Sequence, residues 1–256
     1  MDTGDAVRLT LLGGGGAVDD DGLCRLYAYP DELTRPLVRG NAIAGLDGAA
    51  TTDGTSGGLG GPGDRRLFAL QRELADVIVV GAGTARAENY GGARLTVSQR
   101  QSRRRRGQPE VPPIALVTRS GVLEHDLPVL TGSEVPPLVL TCTAAAGIAQ
   151  GRLGRAAEVL DCSGADPGAV DLAVALQRLA DRDLLRVLTE GGPSLLGAFV
   201  TQRLLDELCL TTAPVLVSGT AVRIATDAAE VLSRMRRAHV LADDAGYLYS
   251  RYTRED

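Results

Sequence analysis

The chain has 256 residues, 44% of them apolar and 23% charged, with a formal net charge of −5. That is enough material for a large core in one domain or two small ones. Its apolar runs fall short of the ~18 consecutive residues a membrane helix needs, and its acidic balance argues against nonspecific nucleic-acid binding. All 27 basic residues are arginine, so neither a Schiff-base lysine nor a P-loop lysine is available. The four cysteines are scattered without a C-x-x-C pair, which points to reduced, buried thiols. The two histidines, His125 and His239, lie far apart, so no His-rich metal site is expected. The opening "MDTGDAVRLTLLGGGG" is acidic where an export signal needs positive charge, and a cytoplasmic protein is expected.

From the N-terminus, "VRLTLL" (7–12) reads as a strand, the glycines at 13–16 as a turn, and 19–27 as a short helix. Residues 1–34 are expected to be an extension and 35–256 the catalytic domain. "LVRGNAIAGL" (37–46) and "DVIVVG" (76–81) read as strands around a helix in "GPGDRRLFALQREL", where Leu67, Leu70 and Leu74 share one face. The run from Thr96 to Val111, with "RQSRRRRGQPEVPP", reads as a solvated loop. "PIALVT" (113–118), "PLVLTC" (137–142), "AEVLDC" (157–162) and "LRVLTE" (185–190) follow as strands. Helical periodicity marks "PGAVDLAVALQRLADR", and "GPSLLGAFVTQRL" places Pro193 at a helix start, a position proline favours. The strands "DELCLTTAPVL" (206–216) and "GYLYSRYT" (246–253) have little helix between them. This alternation predicts an α/β fold with a mostly parallel sheet and an antiparallel C-terminal edge.

Two glycine turns carry the functional signal. "VIVVGAGTARAENYG" runs from a strand through Gly81 and Gly83 to a helix start at Thr84. It lacks the third glycine of a dinucleotide fingerprint, so a variant nucleotide site and a plain tight turn are both open at this level. "VLTEGGPSLLGAFV" repeats the design with Gly191, Gly192, Pro193, Ser194 and Leu195. Unpaired N–H groups at such helix starts attract phosphate, and ligands of open α/β sheets sit past the carboxyl ends of strands. After "PIALVT" come Arg119 and Ser120 instead of an acid, which suits a 2′-phosphate and therefore NADPH over NADH.

Three stretches, "NAIAGLDGAATTDGTSG", "VVGAGTARAENYG" and "TEGGPSLLGAFVTQRLLDELCLTTAPVLVSG", together resemble the pyrimidine reductase domain of bacterial riboflavin biosynthesis. The resemblance covers about Leu37 to the C-terminus. It implies a dihydrofolate-reductase-like three-layer fold, a homodimer, and NADPH-dependent reduction of a small molecule, 5-amino-6-(5-phosphoribosylamino)uracil. It also implies site residues by position. Thr84 and Glu88 match cofactor contacts, and Gly192 through Ala198 match the phosphate-binding turn. Asn41, Ser56 and Arg72 match substrate positions. Glu190 matches a carboxylate at the substrate, and Asp47 belongs to the Leu-Asp-Gly motif; both are expected to be catalytic, as acids near the carbon that receives hydride. Read from the residues alone, Asp47 also suits an ordinary Asp-Gly turn and Arg72 a solvated helix face.

The chain departs from the family at two points. Asn41 stands where a lysine is common, and the aromatic expected after Ser56 is replaced by "GGLGG". The zinc deaminase signatures H-x-E and P-C-x-x-C are also missing. A stand-alone reductase with an altered pocket is expected, with a dihydrofolate-reductase-like or secondary-pathway paralogue, or an NADPH-binding protein without turnover, as alternatives.

Overall fold

The computed structural model describes residues 7–227 and 229–255. Strand β1 (Thr10–Leu11), helix α1 (Asp20–Tyr27), β2 (Leu37–Ala44) and α2 (Pro62–Leu74) come first. They are followed by β3 (Val77–Gly81), α3 (Ala82–Ala87), α4 (Val97–Arg105), β4 (Ile114–Val117), α5 (Pro128–Thr131) and β5 (Leu138–Thr141). Next stand α6 (Thr143–Leu153), β6 (Glu158–Asp161), α7 (Leu172–Ala180), β7 (Arg186–Thr189) and α8 (Pro193–Thr201). The chain closes with β8 (Glu207–Thr212), β9 (Met235–Ala242) and β10 (Leu248–Arg254). The strands form one sheet in the order β1-β9-β10-β8-β2-β7-β3-β4-β5-β6. Pairings from β8 through β6 are parallel, and those of β10, β9 and β1 are antiparallel, the architecture expected from the sequence.

Side-chain alternation along the strands makes three layers. Val77 and Val79 face α7 and α8 and pack on Leu172, Leu176, Leu196 and Phe199. Ile78 and Val80 face the other way, toward Ala149 and Leu153 of α6. On that second side α1 and α2 cover the antiparallel end, with Leu23, Leu67, Leu70 and Leu74 against Cys209, Leu241 and Tyr249.

One ion network fastens the N-terminal segment to the sheet. Arg39 is fully buried and donates to Glu207 Oε2 at 2.6 Å and to the Tyr27 carbonyl at 2.7 Å. Its guanidinium lies 3.9 Å from the Tyr29 ring centroid. Arg251 closes on the other Glu207 oxygen at 2.5 Å. Facing cations outweigh the burial of Glu207 and hold its carboxyl below the usual range. Helix α1 starts where Asp19 Oδ1 accepts from the Gly22 N–H at 2.7 Å, and β1 pairs with β9. Residues 7–34 of the expected extension therefore pack against the rest of the chain, and residues 1–6 lie outside the described residues.

Three sequence expectations need correction. The basic run after Thr96 is helix α4, not a loop. A capping box starts it, with the Thr96 N–H donating to Gln99 Oε1 at 2.9 Å and the Gln99 N–H to Thr96 Oγ1 at 3.3 Å. Arg103 in that run is fully buried and donates to the carbonyls of Glu73 at 2.8 Å and Pro109 at 2.7 Å. The expected strand at 7–12 keeps only two residues. Strand β9 was not foreseen, because "MRRAHVLA" carries exposed arginines on an edge strand.

Candidate active site

Strands β3 and β7 are neighbours in the sheet, so their glycine turns emerge side by side at its carboxyl end. The two turns are bonded to each other. The Gly81 N–H donates to the Gly191 carbonyl at 2.8 Å, and the Gly192 N–H donates to Thr84 Oγ1 at 3.1 Å. Gly191 has φ +86°, a region open mainly to glycine. A Cβ on Gly192 would overlap the Thr84 hydroxyl, so that hydroxyl reaches the backbone here only because residue 192 is glycine. The Gly191–Gly192 peptide is cis. Helix α8 begins directly after, with Pro193 in its first turn and no side-chain cap.

Beside these turns lies a cleft of about 980 Å³, lined in part by Asp64, Arg65, Phe68, Ala69 and Arg72 of α2. At its centre stands a charged cluster. Arg72 holds Glu190 in a two-pronged pair, Nε to Oε1 at 2.7 Å and Nη2 to Oε2 at 2.7 Å. The Tyr90 hydroxyl donates to the same Oε2. The Glu190 side chain is 2% exposed and that of Arg72 16%. Burial works against the Arg72 charge, yet Glu190 holds its pKa above the usual range. Burial and then the Glu190 charge push the Tyr90 hydroxyl well above its ordinary value. The Arg72 guanidinium also sits 4.3 Å from the Phe68 centroid and 5.4 Å from that of Tyr90. Both carboxylate oxygens of Glu190 are therefore engaged. The carboxylate can stabilise a cation forming beside it and fix the direction of the tyrosine hydroxyl.

Most residues singled out in the sequence meet at this cleft. Asn41, Ser56, Arg72, Gly83, Thr84, Glu88, Glu190, Gly191, Gly192 and Pro193 all line it. Asn41 Oδ1 accepts from Gln71 Nε2 at 2.9 Å, and Glu88 Oε1 accepts from the Ser56 N–H at 2.7 Å. Arg72 is not the solvated helix residue that its polar neighbourhood also allowed.

Others stand back. Gly81 and Leu195 pack on one another behind the lining, a Cβ on Gly81 falling 3.9 Å from that of Leu195. Ser194 is exposed in the first turn of α8. Arg119 and Ser120 are exposed past the end of β4, outside the cleft, with the Ser120 hydroxyl accepting from the Val122 N–H at 3.2 Å. Asp47 also lies outside and is exposed. Its carboxylate accepts from the N–H groups of Ala49 at 3.3 Å, Val217 at 3.0 Å and Ser218 at 2.7 Å, which hold its pKa below the usual range. Those bonds brace a loop, so a proton-transfer role for Asp47 does not fit its position.

Sequence reasoning passed over five polar or aromatic cleft residues: Tyr90, Asp64, Arg65 and Phe68 on α2, and the exposed Arg94. The signal was present for two of them, since Asp64, Phe68 and Arg72 fall at i, i+4 and i+8 on one helix face.

Residues 36–249 match the RibD C-terminal domain. The chain belongs to that family. A relative in Methanothermobacter thermautotrophicus is 30% identical over 82% of this chain and 95% of its own length. It is named 2,5-diamino-6-ribosylamino-4(3H)-pyrimidinone 5′-phosphate reductase, as is a relative in Archaeoglobus fulgidus at 25% identity over 79% of this chain and 91% of its own. Among solved structures, a pyrimidine reductase-like protein from Corynebacterium diphtheriae superposes with TM-score 0.75 at 28% identity, covering 86% of this chain and 92% of that one. The riboflavin biosynthesis reductase of Saccharomyces shares the fold alone, with TM-score 0.65 at 15% identity, covering 91% of this chain and 98% of that one. The RibD-type pyrimidine reductase expected from the sequence is borne out, and the chain is an oxidoreductase of that family. Among the described residues, no helix is long and apolar enough to cross a membrane.

Proposed function

We propose that the protein reduces a 6-ribosylaminopyrimidine 5′-phosphate with NADPH, in the cytoplasm and as a homodimer. The observation that carries this reading is the Arg72–Glu190–Tyr90 cluster, which adjoins the paired glycine turns within one cleft. The residues present fit a dinucleotide. Gly192 lets the Thr84 hydroxyl reach its backbone, which ties the two turns together, and the uncapped start of α8 offers N–H groups to a phosphate. A cleft of this volume accepts one extended ligand beside a small one. When bound, the nicotinamide supplies hydride to C1′ of the sugar in its open, imine form.

The chain supplies position and charge. Gly191, Gly192 and the first turn of α8 bind the cofactor, and Arg119, exposed at the end of the neighbouring strand, meets a 2′-phosphate. Arg94 at the cleft's rim takes the substrate phosphate. Glu190 stabilises the positive charge on the substrate nitrogen as the C1′ imine forms, and the Tyr90 hydroxyl, donating to Glu190, fixes that carboxylate's orientation. Strand β9, paired by β1 only at Leu241 and Ala242, leaves an edge for a second copy. The test is NADPH oxidation with ribosylaminopyrimidine phosphates, with dihydrofolate as control. Oxidation with dihydrofolate alone, or cofactor binding without oxidation of any substrate, overturns the reading.

A further inference from the structure

Three carboxylates line the cleft, and their surroundings differ. Glu190 is saturated by Arg72 and Tyr90. Glu88 accepts a backbone N–H from Ser56. Asp64 takes a hydrogen bond from the Thr211 side chain, and its neighbouring cation, Arg65, is exposed and reaches to the Gly60 carbonyl at 3.2 Å. Burial holds the Asp64 carboxyl above the usual range, and these two groups offset that only in part. A second feature keeps the carboxylate open. Gly60 also lines the cleft, and a Cβ there would stand 3.0 Å from Asp64 Oδ2, so the bare glycine leaves that oxygen clear.

The placement along α2 matters. Asp64, Phe68 and Arg72 form one stripe, and eight residues of helix separate Asp64 from Arg72 by roughly 12 Å. Arg72 carries the cluster assigned to the reacting carbon, and Phe68 supplies an aromatic wall midway. A pyrimidine lying along Phe68 with its sugar toward Glu190 turns its far edge to Asp64. The chemistry of that edge decides what Asp64 tolerates. A 2-amino-4-oxo ring in its 3H form offers two adjacent donors, N3–H and the 2-amino group, which match the two oxygens of a carboxylate. A 2,4-dioxo ring offers one N–H flanked by carbonyl oxygens, so one carboxylate oxygen would face a second acceptor.

We infer that Asp64 reads the pyrimidine edge and selects a 2-amino-4-oxopyrimidine over a 2,4-dioxopyrimidine. This rests on the proposed function and narrows its substrate to the ring still carrying the 2-amino group. A reaction that removes that amine by hydrolysis then acts on this enzyme's product, not on its substrate.

The experiment compares kcat/KM for the 2,5-diamino-4-oxo and the 5-amino-2,4-dioxo ribosylaminopyrimidine phosphates in wild type and in Asp64→Asn. A site built for N–H donors rejects an analogue lacking one strongly, so wild type should favour the diamino ring by about 10²-fold or more. Asparagine presents one acceptor and one donor, which suits N3–H beside a carbonyl. Asp64→Asn should bring the two rings within about tenfold, with the dioxo ring gaining in absolute terms and NADPH affinity unchanged. Asp64→Ser, with its melting temperature measured alongside, covers the case in which the asparagine variant folds poorly; it should lose discrimination without gaining on the dioxo ring. A wild-type preference for the dioxo ring, or equal discrimination in wild type and variants, overturns the inference and leaves the reductase reading intact. Turnover of neither ring by a wild-type protein that binds NADPH overturns the reductase reading, and the inference with it.

Discussion

Replacing Glu190 with glutamine separates the structural role of the cleft cluster from its chemical one. The side chain keeps its size but loses the charge that two Arg72 nitrogens and the Tyr90 hydroxyl face. Removing one partner of a buried ion pair costs about 3–5 kcal/mol. Arg72 keeps 16% exposure on the cleft and glutamine keeps one acceptor, so the expected cost is nearer ~2–3 kcal/mol. For a chain of this size that lowers the melting temperature by roughly 4–12 °C. Adding Arg72→Met removes the stranded cation, so the double variant should recover most of that stability. Activity should follow another course. Loss of the carboxylate should lower kcat/KM by about 10²–10⁴-fold, and Arg72→Met should not restore it. Differential scanning fluorimetry and steady-state NADPH oxidation, run on the two single variants and the double, give both readouts. If Glu190→Gln keeps turnover within threefold of wild type, Glu190 is a structural residue and the assignment of the cluster is wrong. If melting is unchanged as well, water screens the pair and the burial argument fails.

Four further outcomes are expected. Gly192→Ala pushes a methyl into the Thr84 hydroxyl, and NADPH affinity should fall at least tenfold by fluorescence titration; Thr84→Ala in the same chain should restore part of it. Arg119→Ala should erase a preference for NADPH over NADH while leaving NADH affinity unchanged, and equal affinities in the wild type would remove Arg119 from the cofactor site. Burial, reinforced by Arg251 and Arg39, depresses the His239 pKa from 6.5 to about 4. The unfolded chain then binds the extra proton between those values, so stability is complete above about pH 6.5 and is lost as pH falls toward 4. That loss is on the order of 3 kcal/mol, and His239→Leu should flatten melting temperature against pH between 6.5 and 5. Sedimentation at micromolar concentration should give a dimer, and a monomer would count against β9 as an interface.

The sheet was legible because buried parallel strands are short apolar runs that stand out from their surroundings, as "VIVVG" and "RVLT" do. Helix α4 was not, since nothing apolar repeats along "VSQRQSRRR". It is fixed at one end by the Thr96–Gln99 box and at its core by Arg103 reaching three backbone carbonyls, bonds that no periodicity announces. Glu190 and Thr84 were legible through their places beside glycine turns. Asp47 was over-read, because the Asp-Gly pair that marks a family motif is also what a loop brace looks like. Tyr90 and Asp64 reach the cleft only through how α2 and the loop after α3 lie over the sheet, which no local pattern announces.

The bonds between the two glycine turns also bear on how this sequence can vary. Thr84 and Gly192 are 108 residues apart, yet the hydroxyl of one lies where the first side-chain carbon of the other would go. Neither position can therefore change freely while its counterpart stays fixed. A bulkier residue at 192 demands a smaller one at 84, and loss of the hydroxyl at 84 leaves the Gly192 amide without an acceptor. Mutational tolerance at these sites is a property of the pair. Screens that vary one turn at a time will under-rate what residue 192 accepts, whereas libraries that vary 84 and 192 together should recover combinations that single substitutions hide.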